Sequence, residues 1–117
     1  MHAIAEGFDL LENGRFKNID LKTVTKVWNN GSIVQSFLME MAQQAIEKDD
    51  KLGYLKPHVD DNGEGRWAAM EAMEYGVPFT VNNYALYARY ISRDENSMAF
   101  RMLAALRNEF GGHAIKK

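Results

Sequence analysis

Ile4, Phe8 and Leu11 recur at the spacing of one helix face, and the pattern stops at Asn13-Gly14. No N-cap precedes this first helix, so the sequence reads as one cut from a longer chain. Asp20 is a fair N-cap for a second helix with Leu21, Val24, Val27 and Trp28 inward, stopped by Asn30-Gly31. Ser32 with Gln35 three residues on makes a capping-box pattern, and Val34, Phe37, Leu38, Met41 and Ala45 then trace one apolar stripe to about Glu47. Residues 48 to 62 are polar, broken by Gly53 and Pro57, and predict a long connection with at most a helical turn; connections of this length often carry function. A fourth helix is predicted from Trp67 to Tyr75, ended by Gly76, with Pro78 suiting the first turn of a fifth that runs to about Ser92 and places Val81, Ala85 and Ala88 on one face. The last helix, near Glu95 to Phe110, carries Met98, Met102, Leu103, Leu106 and Phe110 before Gly111-Gly112 ends it. The pattern predicts an all-α fold of about six helices with no strand, no internal repeat and no low-complexity tract.

Composition narrows this picture. A chain of 117 residues, 46% hydrophobic and 26% charged, is one domain's length and reads as soluble and globular. No apolar run approaches the roughly 18 to 20 residues that span a bilayer, which predicts no membrane partner. Met1 to Gly7 lack a basic segment followed by an apolar one, so no secretory signal is expected. Zero cysteines exclude disulfides and Cys-based zinc sites and fit a reducing, cytoplasmic location. A formal net charge of -2 argues against a nucleic-acid binder, and the short glycine turns between helices lack the basic recognition helix of a helix-turn-helix protein.

The candidate chemistry concentrates between Gly63 and Arg89. Gly63 and Gly65 free the backbone for positive φ or for close approach to a ligand, ahead of Arg66 and Trp67. Between Pro57 and Ile115 every basic residue is an arginine: Arg66, Arg89, Arg93, Arg101 and Arg107. Guanidinium groups hold phosphate or carboxylate bidentately, so an anion site fits this half; pairing with Glu64, Glu71, Glu74, Asp94, Glu95 and Glu109 is the structural alternative. His2, His58 and His113 sit at no metal-ligand spacing, which predicts no metal site. His58 reads as solvated, whereas His113 follows a Gly111-Gly112 hinge that can release the tail from its own domain. The chain has no Cys nucleophile, no GxSxG elbow and no GxGxxG after a strand. The methionines read as core filler.

The run DDNGEGRWAAMEAMEYGVPFTVNNYALYARYISR followed by LAALRNEFGGH, with AEGFDLL and VWNNGSIVQSFLMEM upstream in the same order, resembles the all-helical C-terminal domain of 6-phosphogluconate dehydrogenase over nearly the whole chain. The likeness is greatest to the short, NAD-preferring, decarboxylating form. It implies a single substrate-binding and dimerisation domain over residues 1–117 with a tail at 111–117. The preceding Rossmann domain and the family's catalytic lysine and glutamate lie outside these residues, so the chain alone has no catalytic residue and is expected to be inactive. By the resemblance, Arg89 binds the substrate phosphate, Arg107 and His113 reach the neighbouring subunit's site in a homodimer, Gly63, Glu64 and Gly65 form the substrate-proximal turn, and Trp67 anchors its packing. In the family's longer form a lysine of this turn touches substrate; Asn62 and Glu64 stand in the corresponding places here. The family oxidises 6-phosphogluconate with NAD or NADP and decarboxylates the product to ribulose 5-phosphate; the cofactor is expected in the full-length enzyme and not on this chain alone. The alternative is a stand-alone, non-catalytic helical dimer or assembly module derived from the family.

Overall fold

In a computed structural model, which describes residues 1–116, the chain forms helices α1 (His2–Asn13), α2 (Leu21–Trp28), α3 (Phe37–Lys48), α4 (Glu64–Glu74), α5 (Thr80–Arg93) and α6 (Met98–Gly111), with no strand among the described residues. The all-α expectation holds. Lys117, the end of the expected tail, lies outside the described residues. The chain divides after Lys56 into two units, Met1–Lys56 and Pro57 onward.

In the first unit α3 packs on α2, and α1 joins them by setting Phe8 against Trp28, ring centroids 5.4 Å apart. Asp20 is the N-cap of α2, its carboxylate accepting from the Lys22 N–H at 3.0 Å. The buried positions are Leu21, Thr25, Met39 and Ile46. This corrects two expectations. Val27 is exposed and Thr25 is buried in its place, because the Thr25 hydroxyl donates to the Lys22 carbonyl one turn back and so enters the core with its polar group satisfied. Of the predicted stripe, Val34 ahead of α3 and Phe37 and Met41 on it are exposed and Leu38 and Ala45 half-buried, while Met39 and Ile46, seven residues apart, take the buried positions.

The capping box at Ser32 does not form. Gly31, at φ +77°, turns the chain so that the Gln35 side chain accepts from the Gly31 N–H at 2.8 Å and the Ser32 hydroxyl donates to the Trp28 carbonyl. Both residues are thereby spent on ending α2, and Ser36 caps α3 by accepting from the Met39 N–H at 3.2 Å. Beyond α3 the Asp49 carboxylate accepts from the Lys51 and Gly53 N–H groups, folding the connection into a turn.

In the second unit α4 packs on α5 and buries Ala69, Ala72 and Leu86. Small residues on α4 let the helices approach closely. Gly76, at φ +64°, ends α4 as predicted: the Val77 N–H returns to the Ala72 carbonyl and the Gly76 N–H to that of Met73, the paired bonds of a Schellman stop. Pro78 lies outside the next helix, because Phe79 is the N-cap and its carbonyl accepts the Asn83 N–H. Of the face expected to carry Val81, Ala85 and Ala88, Val81 is exposed and the two alanines are half-buried, and Leu86 is the buried residue of α5. Ser97 caps α6 by accepting from the Phe100 N–H, which starts that helix at Met98 rather than near Glu95. Helix α6 has no buried residue.

Candidate anion-binding site

The run Asp60-Asp61-Asn62-Gly63 folds as consecutive side-chain-to-backbone turns. Asp61 Oδ1 accepts from the Gly63 N–H at 2.8 Å, and Asn62 Oδ1 accepts from the Glu64 N–H at 3.2 Å. Gly63 sits at φ +96° and is the N-cap of α4, so the helix begins three residues earlier than predicted. Glu64 and Gly65 therefore belong to its first turn. Of the two glycines expected to need backbone freedom, Gly63 takes positive φ and Gly65 is helical.

The same loop is tied to the far end of α5. Val59 donates its N–H to Ser92 Oγ at 3.0 Å, Ser92 Oγ donates to the Arg89 carbonyl at 2.8 Å, and Arg93 Nη2 meets Asp61 Oδ2 at 3.5 Å. Between the loop, the start of α4 and α5 lies a cavity of about 180 Å³ walled by Asp61, Asn62, Glu64, Gly65, Ala68, Phe79, Asn82, Ala85, Leu86 and Arg89. Asn82 and Arg89 are seven residues apart on α5, two turns, so the spacing sets both on the cavity side. Arg89 makes one long contact, Nη1 to the Asp60 carbonyl at 3.5 Å, and no ion pair among the described residues. Arg66 and Arg93 are both paired with Asp61, at 3.4 and 3.5 Å. The Gly63 hydrogen bond, and after it the two guanidiniums, hold the Asp61 carboxyl below the ordinary aspartate range, against the opposing effect of burial.

An incompletely engaged guanidinium beside a helix N-terminus is chemistry suited to phosphate or carboxylate. Glu64 adds an acceptor and Asn82 an amide able to serve hydroxyl groups. Arg89, Glu64 and Gly65 are thus brought to one cavity and Gly63 shapes it. Arg107 and His113 are exposed and do not line it. Gly111 is helical, and Gly112, at φ +62°, is the actual stop of α6. Past it the tail folds back: Asn108 Nδ2 donates to the His113 carbonyl at 2.9 Å, and the His113 ring lies beside Gly111. Asp61, Phe79 and Asn82 were not singled out from sequence. The Asp-Asn-Gly composition was the available signal for Asp61, whereas Phe79 and Asn82 join the cavity only through packing of α5 on α4.

A larger cavity of about 530 Å³ lies in the first unit, between Ile4, Phe8, Leu38, Met41, Ala45 and Ile46. Its walls are mainly apolar with Asp9, Glu12 and Asp50 at the rim, and the one lysine there, Lys51, is paired with Glu12, which suits an anion poorly. Among the described residues no cluster of His, Asp and Glu is arranged to hold a metal ion, and no helix is long and apolar enough to cross a membrane.

The two glycines of the turn differ in what they require. Gly63→Ala is expected to lose about 1 to 2 kcal/mol of stability, because an L-residue at φ +96° is strained and its Cβ would lie 3.2 Å from the Trp67 ring. Gly65→Ala is expected to gain up to about 1 kcal/mol from helix propensity, since its Cβ would meet only Leu86 at an ordinary 3.5 Å. Urea unfolding of both variants checks the opposite signs.

The family described as 6-phosphogluconate dehydrogenase, C-terminal domain, matches residues 1–113. A putative 6-phosphogluconate dehydrogenase of Bacillus subtilis is 41% identical over the full chain, and an NAD(+)-dependent, decarboxylating 6-phosphogluconate dehydrogenase of Haloferax volcanii is 36% identical over the full chain. A decarboxylating 6-phosphogluconate dehydrogenase of Lactococcus lactis is 30% identical over 96% of the chain and matches across 25% of its own length. The chain spans 39% of the length of the Bacillus and Haloferax relatives. By this match along nearly its whole length, the chain belongs to the 6-phosphogluconate dehydrogenase family, as that family's C-terminal domain.

Proposed function

We propose that residues 1–117 are the substrate-binding and dimerisation domain of a decarboxylating 6-phosphogluconate dehydrogenase, which converts 6-phosphogluconate to ribulose 5-phosphate with NAD or NADP in the cytoplasm. The observation that carries this reading is Arg89 on the cavity wall, without an ion-pair partner among the described residues, beside the N-terminus of α4. A sugar acid phosphate presents a dianionic phosphate, a carboxylate and several hydroxyls. Arg89 suits the phosphate, Asn82 and Glu64 suit hydroxyls, and the absent Cβ of Gly65 leaves room for close approach. Arg107 and His113 are assigned to the partner subunit's site, in keeping with their position away from the cavity of their own chain.

The described residues contain no βαβ unit, so no glycine-rich strand-to-helix turn is present to hold a dinucleotide's pyrophosphate. NAD or NADP does not fit these residues and belongs elsewhere in the enzyme. The cavity wall also offers no lysine or histidine for proton transfer. We therefore assign this chain binding and orientation.

Helix α6 favours an assembly role alongside. Met98, Phe100, Met102, Leu103, Leu106 and Phe110 are all exposed and spread over more than one face of it, as on helices that become buried by association. The family-derived assembly module without substrate is therefore the second reading. Calorimetry with 6-phosphogluconate and light scattering separate the two. The expected result is binding in the millimolar range, about -4 kcal/mol, no reduced cofactor on adding NAD or NADP, and a particle of twice 13.3 kDa that loosens when residues 111–117 are removed. Robust turnover by this chain overturns the division of labour, a strict monomer overturns the trans assignment of Arg107 and His113, and a dimer blind to the ligand leaves the assembly reading.

A further inference from the structure

Asp61 is a carboxylate on the wall of a cavity read as an anion site, and its side chain is only 6% exposed. A buried, uncompensated negative charge there would repel a phosphate, whereas Glu64, the other carboxylate on the wall, is exposed and screened by solvent. Asp61 is instead surrounded: Oδ1 takes the Gly63 N–H at 2.8 Å and meets Arg66 Nε at 3.4 Å, and Oδ2 meets Arg93 Nη2 at 3.5 Å. Arg93 is held from a second side by the Tyr90 ring, 5.3 Å from its guanidinium carbon. Arg89 lies one helical turn before Arg93 and has no such carboxylate among the described residues. The hydrogen bond to Gly63 also fixes the residue whose positive φ starts α4, and with it the position of Glu64 and Gly65 on the cavity wall.

We infer that Asp61 is a positioning residue for the anion cavity: it pins the Gly63 turn and engages Arg66 and Arg93, leaving Arg89 as the guanidinium presented to a ligand phosphate. The inference rests on the anion reading of the cavity and adds a division of labour among three arginines that look alike in the sequence. A carboxylate serving only to cap α4 would change stability and leave the affinity of the folded chain untouched.

The test titrates inorganic phosphate and 6-phosphogluconate into the full chain well below its unfolding temperature, with arginine Nε–H signals and Gly63 amide exchange followed by NMR. Asp61→Asn keeps an acceptor for the Gly63 N–H and should bind within about threefold of wild type, whereas Asp61→Ala should bind at least about tenfold more weakly with a rapidly exchanging Gly63 amide. Should Asp61→Ala not fold, the charge arm decides. Arg66→Gln with Arg93→Gln leaves Asp61 uncompensated and should weaken phosphate binding by about tenfold, and adding Asp61→Asn to that pair should restore it. Equal affinity of folded Asp61→Ala and wild type, or failure of Asp61→Asn to rescue the arginine pair, overturns the inference while the anion reading stands. A wild-type chain that takes up neither phosphate nor 6-phosphogluconate overturns the anion reading, and this inference with it.

Discussion

Replacing Arg89 with alanine is expected to weaken 6-phosphogluconate binding by on the order of 30-fold or more, the equivalent of at least about 2 kcal/mol for removing a charged partner from an enclosed pair. Stability should change little, because the side chain's one polar contact among the described residues is the long 3.5 Å approach to the Asp60 carbonyl. Arg89→Lys should fall between the two. It keeps the charge and loses the planar fork that matches a phosphate. Calorimetric titration of the three proteins, with thermal unfolding as control, reads both quantities. Binding of Arg89→Ala within threefold of wild type would mean that the phosphate is held elsewhere. A large loss of stability would mean that Arg89 is a structural residue after all.

Met39→Ala is expected to cost the first unit about 2 to 5 kcal/mol, the usual range for truncating a fully buried long side chain. Met39 has no exposed surface, and the other buried residues of this unit are few: Leu21, Thr25 and Ile46. Against a typical domain stability of about 5 to 15 kcal/mol, a core this small has little to lose before it unfolds. The two tryptophans make the effect separable, since Trp28 lies in the first unit and Trp67 in the second. In a Trp67→Phe background the urea midpoint read by Trp28 fluorescence should fall steeply. In a Trp28→Phe background, Trp67 reports whether the second unit follows. A loss below about 1 kcal/mol in the Trp28 transition would contradict the packing of α3 on α2.

Where local chemistry decides, the sequence was a reliable guide. Asp20 caps α2 because a short acceptor side chain ahead of an apolar-periodic run has a backbone donor two residues on, and Gly76 ends α4 because positive φ costs glycine little. The failures share a cause. The predicted stripe of Val34, Phe37, Leu38, Met41 and Ala45 is only half-buried at Leu38 and Ala45 and exposed elsewhere, because periodicity does not say which side of a helix its neighbour covers most deeply. Ser32 and Gln35 match a capping box by spacing, yet Gly31 turns the chain and draws both side chains back toward α2. Thr25 reads as polar by type and is buried, because its hydroxyl is answered inside its own helix.

Periodicity and stop signals alone show that the chain is helical, about how many helices it has and where most of them stop, and the residue order places all but one of its guanidinium groups in the second half. Through the four ordered blocks it also identified the family. The resemblance marks Arg89 for a phosphate without a physical reason, and the fold supplies one: of Arg66, Arg89 and Arg93, Arg89 alone makes no ion pair among the described residues. Arg66, Arg89 and Arg93 are equivalent by charge and composition, and they are told apart by the buried carboxylate of Asp61, which reaches two of them and not the third. That distinction depends on distances of a few ångströms between a loop and a helix some thirty residues apart, set by the packing of α4 on α5.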